Sequence, residues 1–156
     1  MPGETAAQSE PRLTIQSRLE DLAALWPWVE SLANEHAVPA GTRFAIHLCL
    51  EEALSNVIRH GYNGQPGRPI TIQFSSRPEA VVFTIDDEAP AFDPLAASAV
   101  AQMPAPASIA EIPLGGRGIQ LMRKFAGSLA YQRLPHGNRL TMRFPNSHFS
   151  HHPETE

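Results

Sequence analysis

The chain has one cysteine, Cys49, so no internal disulfide can form and the disulfide-stapled class of small secreted domains is excluded. An excess of basic residues is missing too: 12 Lys and Arg stand against 16 Asp and Glu, a formal net charge of -4. Proteins that bind nucleic acid through its phosphates need a basic face, so direct nucleic-acid binding is not expected. No apolar run reaches the roughly 20 residues that cross a bilayer. The first ten residues lack the charged-then-apolar order of a secretory signal and read as a flexible arm. Cytoplasmic residence without a membrane partner is the expectation. Charged residues are sparse at 18%, while 42% of the 156 residues are hydrophobic, which is enough for one core but not for two.

Periodicity supplies the elements. Leu13 and Ile15 alternate with Thr14 and Gln16, which predicts a strand over 12–17. From Leu19 to about Glu35, the residues Leu22, Leu25, Trp26, Val29 and Leu32 recur at helical steps, with Pro27 placed to kink the helix or move its start. A second, largely buried helix is predicted from Thr42 to His60, ending at Gly61. Ile70 to Phe74 and Ala80 to Asp86 read as one hairpin, Leu129 to Leu134 and Asn138 to Phe144 as another, and a short helix follows Gly115 to Gly118. Between Ala89 and Pro113 the composition turns to Ala, Pro and Ser, as in a lid. This order implies an α+β two-layer sandwich: a mixed, mostly antiparallel sheet covered by helices on one face. It spans 11–145, with an arm over 1–10 and a disordered tail over 146–156.

Three constellations carry chemistry. On the second helix, Glu52 and Asn56 lie about 40° apart on one side, flanked by Cys49 and Arg59, with Ile46, Leu50, Leu54 and Val57 opposite. An amide oxygen there suits Mg²⁺, and a carboxylate suits proton removal from a hydroxyl. Such pairs are also common on solvated helix faces. Second, Asp86-Asp87-Glu88 ends a strand, where a carboxylate can accept from the exocyclic amine of adenine or can simply close a turn. Third, Gly115-Gly116-Arg117-Gly118 opens a helix, as in a phosphate cradle or a plain hinge. It matches neither the Walker A nor the Rossmann pattern.

In sequence, helix Glu-x-x-x-Asn, strand-end Asp, lid and glycine helix resemble the histidine kinase-like ATPase superfamily. Glu52 to Tyr62, Phe92-Asp93-Pro94 and the Gly-Gly-x-Gly-Ile pattern are most similar to the anti-sigma-factor serine/threonine kinases of partner-switching modules. The resemblance implies that ATP and Mg²⁺ are cofactors, with Asn56 holding the metal and Glu52 acting as general base. It implies further that Asp87 reads adenine and that Gly115, Gly116, Arg117 and Gly118 cradle phosphates. Arg59, Ala89 and Ala91 would border the nucleotide, and the loop from Leu95 to Leu114 would close over it. The partners implied are an anti-sigma-factor antagonist, a sigma factor and a second copy in a homodimer. Ala89 and Ala91 stand where the wider superfamily carries glycines, so their Cβ atoms are expected to crowd the nucleotide.

The competing reading is an anti-sigma or other regulatory binding protein that keeps the fold, with ATP bound or nucleotide-free, and lacks catalysis; a catalytic domain detached from a sensor histidine kinase ranks third. His47 reads as an edge histidine, and His148, His151 and His152 as part of an unstructured end. At least one of Trp26 and Trp28 should be core, the other being available to a protein interface, and Arg123 and Lys124 read as ordinary helix-surface residues.

Overall fold

The computed structural model describes residues 10–95 and 114–146. Nearly all of the expected arm, most of the Leu95-to-Leu114 loop, and the tail with its three histidines lie outside the described residues. Five strands form one sheet: β1 (Arg12–Gln16), β2 (Pro69–Ser76), β3 (Ala80–Asp87), β4 (Ser128–Leu134) and β5 (Gly137–Pro145), in the order β1-β2-β3-β5-β4. Alternation decides which face is inside. Ile70, Ile72 and Phe74 of β2 are buried, as are Val81, Phe83, Ile85 and Asp87 of β3, and the residues between them turn to the other face. That outer face carries polar pairs such as Thr14 with Thr71 at 3.1 Å and Arg139 with Asp86 at 2.7 Å.

All four strand pairings are antiparallel, so the mixed character expected of the sheet does not reach its hydrogen bonds. The reason is topological. The chain leaves β3, returns through a helix to the far edge as β4, and β5 then folds back into the gap. β3 and β4 are thus parallel to each other but separated by β5.

Helices cover the inner face. A 3₁₀ turn (Leu19–Ala24) leads into α1 (Leu25–Glu35), followed by α2 (Ala40–Asn56), a π-helical turn (Val57–Gly61) and α3 (Leu114–Phe125). The single helix expected over 19–35 is divided because Pro27 sits in the first turn of α1, where a missing N–H breaks no helical bond. The expected Thr42-to-His60 helix also changes form. Its α geometry ends at Asn56, and Tyr62 N–H then reaches back five residues to Val57 O at 2.8 Å.

Leu50 and Leu54 are fully buried over Ile70, Ile72 and Phe83 in one core cluster. α3 packs against α2, with Ile119 and Met122 buried and Phe125 edge-on to Phe44 at 5.7 Å. Trp26 and Trp28 are both partly buried against this core, and His47 bonds Glu30 beside Trp26. No helix among the described residues is long and apolar enough to cross a membrane.

Candidate functional site

β3 delivers Asp87 to the inner face at its last residue, opposite Asn138 of β5. Asp87 is 8% exposed, and a carboxylate so placed needs partners. Its Oδ1 accepts Ala89 N–H at 2.9 Å, an Asx turn, and Asn138 Nδ2–H at 2.8 Å. Burial pushes its pKa up, while the bonds from Asn138 and Ala89 and the charge of Arg133 pull the other way. Oδ2 makes no hydrogen bond among the described residues.

α2 brings Asn56 to the same place. Ala53, Asn56 and Val57 face Asp87 and Asn138 across a hollow of about 20 Å³, which Phe92 and Pro94 roof over. That is room for a water molecule, which needs roughly 10–15 Å³, and far less than the roughly 300–1,000 Å³ of an ordinary ligand pocket. The lining suits a purine edge: an acceptor at Asp87, an amide at Asn56 and apolar walls from Ala53, Val57 and Leu140. In chemistry the residues fit the edge of adenine and offer an amide oxygen that could hold a metal, while the hollow as it stands is too small for a base. Val57, expected on the far side of the helix, lines this hollow, since it begins the π turn.

Glu52 lies one turn before Asn56 on α2. Both are half-buried; Asn56 lines the hollow and Glu52 does not. Glu52 makes no hydrogen bond or ion pair among the described residues. Glu51 is exposed, and Cys49 is fully buried, its thiol pushed up to about 12 by desolvation and the nearby Glu52 charge. Arg59 is exposed on the π turn.

Ala89 is 1% exposed and turns away from the hollow: a Cβ built on Gly61 would lie 3.3 Å from its methyl. The methyl expected to crowd a nucleotide instead fills the space left by the missing side chain of Gly61. Ala91 is exposed. Gly115, Gly116, Arg117 and Gly118 fall inside the first turns of α3, which starts earlier than expected, at Leu114. They occupy the end of α3 remote from the Phe125–Phe44 contact.

Sequence reasoning missed the polar residues that hold Asp87. Asn138 is 4% exposed and Tyr131 donates to its Oδ1; Arg133 Nη1 donates to Ala89 O at 2.8 Å. Tyr62 accepts Glu88 N–H and donates to Pro69 O, each at 2.7 Å. Gly137-Asn138 had only the look of a hairpin end, and no spacing rule links it to β3. A larger groove of about 400 Å³ lies on the outer face beside Asp86 and His136. It does not reach Asn56, and its Arg139–Asp86 pair is already satisfied, so the smaller inner hollow, which brings Asn56 and Asp87 together but is not lined by Glu52, is the candidate site.

Residues 15–144 match the model of the histidine kinase-like ATPase domain. The chain is 35% identical over 117 residues to serine/threonine-protein kinase BtrW of Bordetella bronchiseptica, covering 74% of this chain and 79% of that protein. Among solved structures it is similar to the histidine kinase domain from the Erythrobacter litoralis EL346 blue-light activated histidine kinase, with a TM-score of 0.47 and 20% identity over 70% of this chain. It spans 46% of that structure's chain, less than half. The family match takes in α1, α2, β2, β3 and the β4–β5 hairpin that meets them, and by it the chain belongs to the histidine kinase-like ATPase domain family.

Proposed function

We propose that this chain is an ATP-dependent serine/threonine kinase that phosphorylates an anti-sigma-factor antagonist and alternates, in a partner-switching module, between that substrate and a sigma factor. The observation carrying this reading is the hollow shared by Asn56 of α2 and Asp87 of β3. Similarity to a protein named as a serine/threonine kinase supports the reaction type. The sigma-factor partners and the homodimer rest on the sequence resemblance.

ATP with Mg²⁺, when bound, supplies the phosphoryl group and neutralises the charge that develops in transfer. The chain's part is positioning. Asp87 would accept the adenine amine, and the amide oxygen of Asn56 would hold the metal, an oxygen donor of the kind Mg²⁺ prefers. Gly115, Gly116, Arg117 and Gly118, in the first turns of α3, would cradle phosphate, where the unpaired N–H groups ahead of Gly118 and the helix dipole favour anions. Arg59, exposed on the π turn that follows Asn56, would add positive charge for the phosphates. Glu52 holds the proton given up by the serine or threonine hydroxyl; its carboxylate is free of internal partners among the described residues and half-open to an incoming chain.

The test is transfer of labelled phosphate from Mg-ATP to the cognate antagonist by wild type and by Glu52→Ala. Loss of about 10²–10⁴-fold is expected, the usual worth of a general base. The folded stability of the variant should stay within about 0.5 kcal/mol, since a half-exposed carboxylate without bonds is removed. No transfer by wild type, with Glu52→Ala behaving identically, would end the kinase reading; equal transfer by both would remove Glu52 from the role of general base.

The roofed hollow favours a second reading, a regulatory binding module without catalysis, because Phe92 and Pro94 stand where a base must enter. Calorimetric titration with ATP and ADP, read beside the transfer assay, separates the two: absence of saturable heat favours a nucleotide-free module, and binding without transfer favours a nucleotide-gated switch.

A further inference from the structure

The segment that roofs the hollow has little internal freedom. Pro90 and Pro94 fix their own φ angles and restrict the residues before them, and Asp93 Oδ1 accepts Leu95 N–H at 2.8 Å. Such a piece moves as a unit, so whatever holds one end of it sets the place of the Phe92 ring. Two side chains hold it from outside the hollow. The His60 ring on the π turn stacks on Phe92, with centroids 5.9 Å apart and planes at 25°. Arg123, in the last turn of α3, donates through Nη2 to Leu95 O at 3.1 Å, and Leu95 is itself packed against the core.

Arg123 looks like a helix-surface residue by exposure, yet its one hydrogen bond among the described residues runs to the roof. No carboxylate pairs with it among the described residues. It lies five residues past Gly118, roughly 7.5 Å further along the helix axis and away from the glycine end. We infer that Arg123 is a positioning residue for nucleotide entry: its bond to Leu95 keeps the Phe92–Pro94 roof seated on the empty hollow, so that the protein rests in a closed form which must open before a base enters. This inference rests on the nucleotide reading of the hollow.

The consequence has a sign. A hollow of about 20 Å³ cannot take a base, so binding draws on a form in which the roof stands clear. Apparent affinity is then the intrinsic affinity scaled down by the open fraction. The tie to Leu95 belongs to the closed form; it lowers that fraction, and its loss raises it. Three roles for Arg123 therefore separate. An arginine that reached phosphate would weaken binding when truncated, a bystander would leave binding unchanged, and a strut for the roof makes binding tighter when it is cut away.

The experiment titrates Mg-ATP calorimetrically into full chains of wild type, Arg123→Ala, Phe92→Ala and the double variant, and follows ATP association and dissociation by stopped flow. Expected for Arg123→Ala is an affinity roughly two- to fivefold tighter, the scale of one exposed hydrogen bond, arising from faster association with dissociation unchanged. Loss of a merely structural contact would not quicken association. In the Phe92→Ala background no ring covers the hollow, so Arg123→Ala should add nothing there. Weaker or unchanged binding in Arg123→Ala, with wild type binding ATP, overturns the inference and leaves the nucleotide reading standing. An equal gain in the Phe92→Ala background does the same, because the arginine would then act by a route other than the ring. Saturable heat from either single variant where wild type gives none supports the inference, and no heat from any of the four chains overturns both it and the nucleotide reading.

Discussion

The two halves of the candidate site are built differently. Around Asp87, the chain closes a net of hydrogen bonds through Asn138, Tyr131, Arg133, Ala89 and Tyr62, and no buried side-chain polar atom among the described residues is left without a partner. On α2, Glu52 and Asn56 are half-exposed, and their side chains make no hydrogen bond among the described residues. The first half is thus organised by the fold itself, whereas the second keeps its polar groups free for what arrives. A base-reading carboxylate gains selectivity from being held. A proton acceptor and a metal-binding amide would lose capacity if internal bonds already filled them.

If the net is as tight as its geometry, disturbing it should cost far more than changing α2. Gly137→Ala is the sharpest test: a Cβ there would stand 1.6 Å from Asp87 O and 2.7 Å from its carbonyl carbon. The β3–β5 register at Asp87 and Asn138 must then open. A loss of about 3 kcal/mol is expected, at the upper end for overpacking, together with loss of ATP binding; urea melts and calorimetry would show both. A melt within error of wild type would mean that the net gives way easily, and the contrast with α2 would fail.

The join between the halves predicts a smaller effect. Gly61→Ala would press a methyl against Ala89 at 3.3 Å, costing about 1 kcal/mol. Ala89→Gly in the same chain should recover at least half of it, because the two groups share one space. A double-mutant cycle by denaturant unfolding measures the coupling, with about 0.5 kcal/mol or more expected for touching residues. Strict additivity would place the strain elsewhere and deny that Gly61 makes room for the strand-end turn.

Periodicity made one half of the site legible and left the other dark. A helical repeat puts Glu52 and Asn56 on one side wherever the helix lies, whereas Asp87 lay one residue past the expected strand and was singled out by the family resemblance. The π turn was not legible, since nothing in the helical repeat marks Val57, and Gly61 at its end packs close to Ala89, 28 positions later in sequence. The direction of the Ala89 methyl was hidden for the same reason. Asn138 could not be found either: Asp87, Pro90 and Phe92 are 51, 48 and 46 residues away, and only the insertion of β5 beside β3 brings them together. Pairing all neighbours antiparallel also depended on that insertion, which alternation within single strands does not encode.

The smallest expected effect concerns pH, and its sign tests how well the net compensates for burial. Asp87 has a raised pKa in the folded chain, chiefly from desolvation, so on raising pH the unfolded chain gives up this proton first. Between the ordinary carboxylate range and the higher folded value, the native state binds more protons than the unfolded one. The contribution of Asp87 to stability must then fall as pH rises through that window and level off above it. Asp87→Asn keeps an acceptor for Ala89 and Asn138 but cannot titrate, so subtracting its urea-derived stability from that of wild type at each pH cancels the other carboxylates. That difference should decline with rising pH across the window. Tyr62, whose phenol is also raised by burial, stays protonated throughout and adds no slope. A difference that rises instead would mean that the bonds from Asn138 and Ala89 outweigh desolvation, making the netted half a stabiliser of negative charge even before any ligand enters.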